Sequence, residues 1–194
     1  VGHTHEDNHV TAVTSITFNA DSLTSIRSDT GGFYWNSTLY YRVAPDVGGA
    51  YTVVVTLGEA VIQCVGGAIS YTGAAQTGQP DAENGATGSS TAPSVTVTTS
   101  ADNCWVVSVF ANSTSGSTTP TSNNTARWLI YSMFAPGWGG SDTNGPKTPA
   151  GNQIMSWNVY NSTWVISAAS FAPVAEGGLS IPVAMNHFKN QKGA

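Results

Sequence analysis

Charge is what this chain has least of. Charged residues fill 9% of its 194 positions, with six Lys and Arg against eleven Asp and Glu and a net charge of −5. An ordinary soluble domain carries about 25%. Phosphate backbones are bound by clustered Lys and Arg, so six scattered basic residues argue against a nucleic-acid partner. Long hydrophobic runs are missing as well. No stretch approaches the ~20 apolar residues that cross a bilayer as a helix. Two cysteines are too few for a disulfide-dense scaffold, and no CxxC or Cys/His spacing suggests zinc. Capped helical segments with a long apolar face are absent too.

Catalytic signatures are equally scarce. The four histidines sit near the two ends, at His3, His5, His9 and His187, far in sequence from any serine elbow. Gly-x-Ser-x-Gly does not occur. His5-Glu6-Asp7-Asn8-His9 does carry the His-Glu-x-x-His spacing, but no helical apolar period surrounds it to set both histidines on one helix face, which that zinc chemistry needs. Asp81 and Glu83 are close in sequence, with Asp102 and Asp142 far off, which is no glycosidase signature. Asp81, Glu83 and Asn84 could gather around calcium, but the spacing of an EF-hand loop is lacking. The expectation is a non-enzyme that needs no cofactor.

Neutral polar residues fill the space that charge leaves. Ser, Thr, Asn, Gln and Gly must provide solubility. A chain of 194 residues buries roughly 70% of its unfolded surface and needs no staples to hold a core. The dominant period is two. YTVVVTL (51–57), PSVTVTT (93–99) and TWVISAASF (163–171) are β-branched and aromatic runs bounded by turn residues. Further strands are predicted over 13–19, 38–44, 60–71, 104–111, 127–134 and 153–160, giving about nine in an all-β, antiparallel sandwich. Pro45-Asp-Val-Gly-Gly49 reads as a tight hairpin-like turn. Three long segments rich in Gly, Ser, Thr, Asn and Pro, 73–92, 112–126 and 135–151, read as loops. Residues 1–10 and 174–194 fall outside the alternation and read as an N-terminal and a C-terminal arm around one sandwich domain, 11–173. At most a short helical turn follows Ser180.

The runs LYYRVAPDVGGAYTVVVTL (39–57), AVIQCVGGAISYT (60–72), SVTVTT (94–99), CWVVSVFA (104–111) and TWVISAASFAP (163–173) form a recognisable series. The series resembles a jelly-roll-like β-sandwich module found in phage virion proteins and bacterial secreted proteins. The resemblance spans 38–173 and carries no catalytic residues. It implies an accessory or structural role: capsid decoration, fibre, surface filament, adhesin or sugar-binding module. Neither the cysteines nor the His-rich start belongs to that pattern.

Several residues are candidates for specific chemistry. Cys64 and Cys104 lie in strand-like runs and form either an inter-strand disulfide or two buried thiols. Asn36, Asn112, Asn123 and Asn161 head N-x-Ser/Thr sequons in predicted turns. Trp138, set among glycines, is predicted to be exposed as a glycan platform, an interface anchor or a lid. His3, His5 and His9 offer metal ligands, either with a free amine at Val1 or around a symmetry axis, against the plainer reading of a polar arm. In the tail, Leu179, Ile181, Val183 and Met185 alternate with smaller residues and Phe188 follows, which suits an extended assembly arm with one apolar face. That face lies either on the chain's own sandwich or on a neighbour. The sequence is thus expected to encode a structural subunit of a virion or an extracellular assembly, self-associating or joined to other subunits. A secreted carbohydrate-binding module is the alternative. No signal peptide is legible at Val1, which suits both a processed secreted chain and a virion protein that lost its initiator Met.

Overall fold

The computed structural model describes residues 1–6, 13–32, 35–132 and 135–175. Every strand pair in it is antiparallel. The all-β class expected from the alternation is therefore present, and each of the predicted runs holds a strand. The strands in chain order are β1 (Gly2–Glu6), β2 (Val13–Phe18), β3 (Asp21–Ser22), β4 (Thr24–Thr30), β5 (Trp35–Tyr41), β6 (Val53–Leu57), β7 (Gln63–Gly67), β8 (Ala82–Ser90), β9 (Ser94–Thr98), β10 (Trp105–Ser115), β11 (Thr119–Pro120), β12 (Thr125–Ser132), β13 (Ala135–Asp142), β14 (Asn152–Asn158) and β15 (Ser162–Phe171).

They form four sheets. The largest has the order β12-β13-β10-β15-β8, the next β4-β5-β1-β7, and the two smallest β11-β14-β9 and β3-β2-β6. Strands β10 and β15 lie inside the largest sheet and are buried almost continuously along their length. Their even-numbered side chains, Val106, Phe110, Trp164, Ile166 and Ala168, join Val95, Val97, Met155 and Trp157 of β9 and β14. Their odd-numbered side chains, Val107, Val109 and Ala169, meet Leu39 of β5, while Ala111 and Val165 meet Trp35. Both faces of this sheet are thus covered. That explains why VVSVFA and VISAAS read as near-continuous apolar or small runs instead of clean alternation.

Strands with few β-formers were missed in the sequence. The segments 73–92, 112–126 and 135–151, expected to be loops, hold β8, β11 with the end of β10, and β13. Here glycine serves close packing more than turning. A Cβ on Gly139 of β13 would stand 2.6 Å from the Trp157 ring, and one on Gly88 of β8 2.7 Å from Trp164. A Cβ on Gly140 would overlap the Trp128 indole. Glycine inside a strand marks such close approaches. Trp157, in turn, stacks on Phe110 with centroids 4.9 Å apart and an interplanar angle of 17°.

Two expectations about connections are corrected. Residues 45–49 do not close a hairpin, because β5 and β6 belong to different sheets and the segment crosses between them. Gly48 supplies the left-handed conformation there, at φ 89°. The start of the chain is also not an arm as far as Glu6. Strand β1 is inserted between β5 and β7, pairing His3 with Thr38 on one side and with Gly66 on the other. Its HTH alternation is polar, so no apolar period announced it. Residues 7–10 of the expected N-terminal arm, and residues 176–194 of the C-terminal one, lie outside the described residues.

Candidate functional site: an apolar groove and two polar nodes

Sheet β4-β5-β1-β7, the connection after β5 and the end of β15 enclose a groove of about 480 Å³. Leu23, Ile26, Leu39, Tyr41, Trp128 and Phe171 are among its lining residues. Tyr41 and Phe171 approach with ring centroids 6.2 Å apart, and Phe18 and Tyr51 with 5.4 Å. Arg42 and Asp46 are the charged side chains on its walls. Both are engaged. Arg42 donates to the Phe18 carbonyl at 3.2 Å and pairs with Asp21 at 2.6 Å, and Asn19 donates to Asp46 at 2.9 Å. These bonds tie the small sheet β3-β2-β6 to the groove wall. The size fits a drug-sized ligand or a few packed side chains, and the walls favour apolar matter.

The chain leaves β15 along this rim. Ala75 donates its N–H to the Ala172 carbonyl at 3.0 Å, and the Gln79 amide bonds both the N–H and the C=O of Ala172. Pro173 bridges to Ala74, and Val174 donates to Gly73 at 2.8 Å. Ala74, Ala75, Gln76 and Gln79 also line the groove.

A polar node lies beside it, around Asp142, whose carboxylate is fully buried. It accepts from the Tyr71 hydroxyl at 2.7 Å, from Arg127 Nε at 2.7 Å and from the Asn144 N–H at 2.8 Å. Burial alone would raise this carboxyl, but the bonds from Arg127, Tyr71 and Asn144 outweigh it and hold the group below its ordinary range. Burial and then the Asp142 carboxylate push the Tyr71 phenol up. The node locks β12 to β13 and to the segment after β7. It offers no exposed acid–base pair.

The candidate residues are distributed as follows. Cys64 and Cys104 are both free, which corrects the disulfide reading. Cys64 is exposed on β7, with Sγ 2.9 Å from His3 Nε2. Burial of part of the thiol pushes it up, and the tautomer of His3 sets which of the two donates. His3 Nδ1 then faces Thr38 Oγ1 at 3.4 Å, and that hydroxyl lies 3.2 Å from the His3 carbonyl, to which it donates. His3 is therefore a buried strand residue with side-chain partners. The β1 amides are committed to the sheet ladder, so amide-plus-imidazole copper binding at the chain start finds no donors there. Among the described residues no three His, Cys, Asp or Glu side chains are placed to hold a metal. His9 lies outside those residues.

Cys104 is buried beside Asp81, which accepts from Ser100, Ser170 and the Cys104 thiol. Burial and the Asp81 charge push that thiol up to about 11. Burial works to raise the Asp81 carboxyl, and its donors more than reverse this and lower it. Glu83 turns to Arg27 at 2.9 Å and Asn84 to the Thr96 carbonyl at 2.8 Å. The imagined calcium set is thus dispersed.

Trp138 is corrected most sharply. It is 2% exposed, on β13, with its ring 5.7 Å from that of Trp35. It is a core residue, and glycan stacking on it is closed off. The sequons divide. Asn36 and Asn112 are each 1% exposed, Asn36 accepting from Thr30 and Asn112 from the Gly137 N–H, so neither is open to a glycosyl donor. Asn123 and Asn161 are exposed. Leu179, Ile181, Val183, Met185 and Phe188 lie outside the described residues. The groove itself was missed. Its one signal in the sequence is the run of Tyr40, Tyr41 and Arg42 that leads out of β5.

No family profile, curated protein or solved structure matches the chain. Among the described residues no helix is long and apolar enough to cross a membrane.

Proposed function

We propose that this protein is a non-enzymatic structural subunit of a virion or extracellular assembly, of the jelly-roll-like decoration, fibre or filament kind, and that its partner is a second copy or another subunit of the same particle. The observation that carries the reading is strand β6. Its sequence is VVVTL, with no charge, proline or glycine. It pairs with β2 on one side only among the described residues, and Val54 is 49% exposed. Proteins that stay monomeric blunt such edges with charge, proline or bulges. An unguarded β-branched edge instead invites a strand from a neighbour, with main-chain bonds supplying affinity. The low overall charge supports the same reading, since neutral polar faces pack together without desolvating ions.

The test is the association state of wild type and of Val54→Lys/Thr56→Lys, by light scattering and negative-stain microscopy. Wild type should form defined oligomers or particles. The double variant should remain folded by circular dichroism yet run as a monomer. A wild type that stays monomeric at every concentration, or a variant that assembles unchanged, refutes the reading.

A further inference from the structure

The geometry points to Asn144 as a site of spontaneous covalent ageing, where ring closure onto Gly145 converts the asparagine to aspartate and isoaspartate and loosens the node around Asp142. The chain has two Asn-Gly steps, Asn84-Gly85 and Asn144-Gly145, and the fold treats them differently. Glycine after asparagine leaves the following nitrogen open to the asparagine Cγ, because no side chain shields it. Asn84 lies in β8, where Gly85 is paired with Ser167 of β15. Its side-chain amide is tied at both ends, Nδ2 donating to the Thr96 carbonyl at 2.8 Å and Oδ1 accepting from the Gly85 N–H at 2.9 Å. Asn144 is exposed in the turn after β13, with φ 51° followed by φ 143° at Gly145, and a Cβ on Gly145 would meet nothing within 4 Å. This turn can rearrange without breaking a sheet ladder. Arg127 adds the chemical element, since its Nη2 donates to Asn144 Oδ1 at 3.2 Å. A guanidinium there meets the charge that grows on this oxygen as Cγ becomes tetrahedral.

The step needs no co-reactant but water. The Gly145 nitrogen gives its proton to a buffer base and bonds to Cγ. The Cγ–Nδ2 bond breaks, and Nδ2 leaves as ammonia with a proton returned from that base. Water then opens the cyclic imide. Opening at Cγ gives aspartate, and opening at the main-chain carbonyl gives isoaspartate, with an extra methylene in the backbone. Either product adds a negative charge that competes with Asp142 for Arg127, and a like charge nearby disfavours the buried carboxylate. The longer backbone also shifts the Gly145 carbonyl, which accepts from Thr143 Oγ1 at 2.8 Å. The site is independent of the β6 edge on which the assembly reading rests.

The test is peptide mapping by electron-transfer mass spectrometry of the full chain, held in mildly alkaline buffer at body temperature, both native and in urea. In the native protein Asn144 should convert about tenfold faster than Asn84 or more, and in urea the two rates should draw together. The aged protein should melt at a lower temperature and show faster amide exchange in residues 142–147. Arg127→Lys keeps a cation for Asp142 and gives up the second nitrogen that reaches Asn144, so conversion at Asn144 should slow severalfold. Asn144→Gln, which has to close a larger ring, should keep its melting temperature through the same ageing. Native Asn84 converting as fast as Asn144 overturns the proposal, and so does the native ratio persisting in urea, which would assign the difference to sequence instead of fold. An aged protein with unchanged melting and exchange, or an equal loss in Asn144→Gln, breaks the link to the Asp142 node. Faster conversion in Arg127→Lys would make Arg127 a restraint on the turn and overturn its assigned part.

Discussion

Strands β10 and β6 are both rich in valine, yet they live in different surroundings. In β10 every residue from Val106 to Asn112 is buried. In β6 exposure alternates, and Val54 stands half in solvent. The difference lies in their neighbours. Strand β10 has a strand on each side and a packed layer on each face. Among the described residues strand β6 has one neighbour, and one of its faces is half-covered. Stability should therefore reside in the largest sheet, and association in the small one.

The strongest way to break that contrast is to cut into both. Phe110→Ala removes a buried ring stacked on Trp157 and should cost about 3–5 kcal/mol in urea unfolding. Val54→Ala should stay within about 0.5 kcal/mol. Equal losses would mean that the layers are not energetically distinct. Next comes Asp142→Ala, which strands Tyr71 and leaves Arg127 without its carboxylate. A loss of about 3 kcal/mol is expected.

The same group sets an acid limit. The Asp142 carboxyl is held below its ordinary value of 3.8 in the folded state, and Asp81 is lowered likewise. Their contribution is present above the unfolded value and is lost as pH falls through the folded one. The melting temperature should hold down to roughly pH 4 and drop below it. In Asp142→Asn that drop should be shallower. An unchanged acid slope would remove Asp142 from the account.

Gly140→Ala is smaller in atoms and still costly. The new methyl meets the Trp128 indole, and a loss of about 1–3 kcal/mol is expected. At Gly48 a Cβ finds open space, so alanine there is limited to the backbone strain of its positive φ. A loss of about 1 kcal/mol is expected. If Gly48→Ala proves the worse of the two, close packing is not what glycine serves in β13. The mildest test is covalent. Expressed through a glycosylating secretory route, Asn123 and Asn161 should accept glycan, while Asn36 and Asn112 stay bare in peptide mapping.

The strands that could be read in advance were those whose side chains are themselves β-branched or aromatic, such as β6, β9 and β15. Strands β8 and β13 were illegible because their own residues, AENGATGSS and APGWGGSD, carry little apolar signal. Their fit depends on tryptophans elsewhere in the chain, Trp164 for Gly88 and Trp157 for Gly139. That pairing is long-range and leaves no local pattern. Trp138 misled for the same reason: the glycines around it suggested a loop, when Gly139 and Gly140 make room for the Trp157 and Trp128 rings and Gly137 for Thr118. Strand β1 escaped because its ladder is polar. The groove escaped because its walls come from stretches of chain far apart in sequence.

The insertion of β1 has a consequence for the order of events during synthesis. Its outer partner ends at Gly67, so the strand between β5 and β7 cannot be paired on both sides until more than sixty further residues have left the ribosome. At about 5–20 residues per second that delay is roughly 3–13 s. Throughout it, a short polar ribbon must wait beside emerging valine-rich segments without being captured by them. The threonine and histidines that hid β1 from a search for apolar alternation suit it to that wait, since they give a wrong partner little to hold.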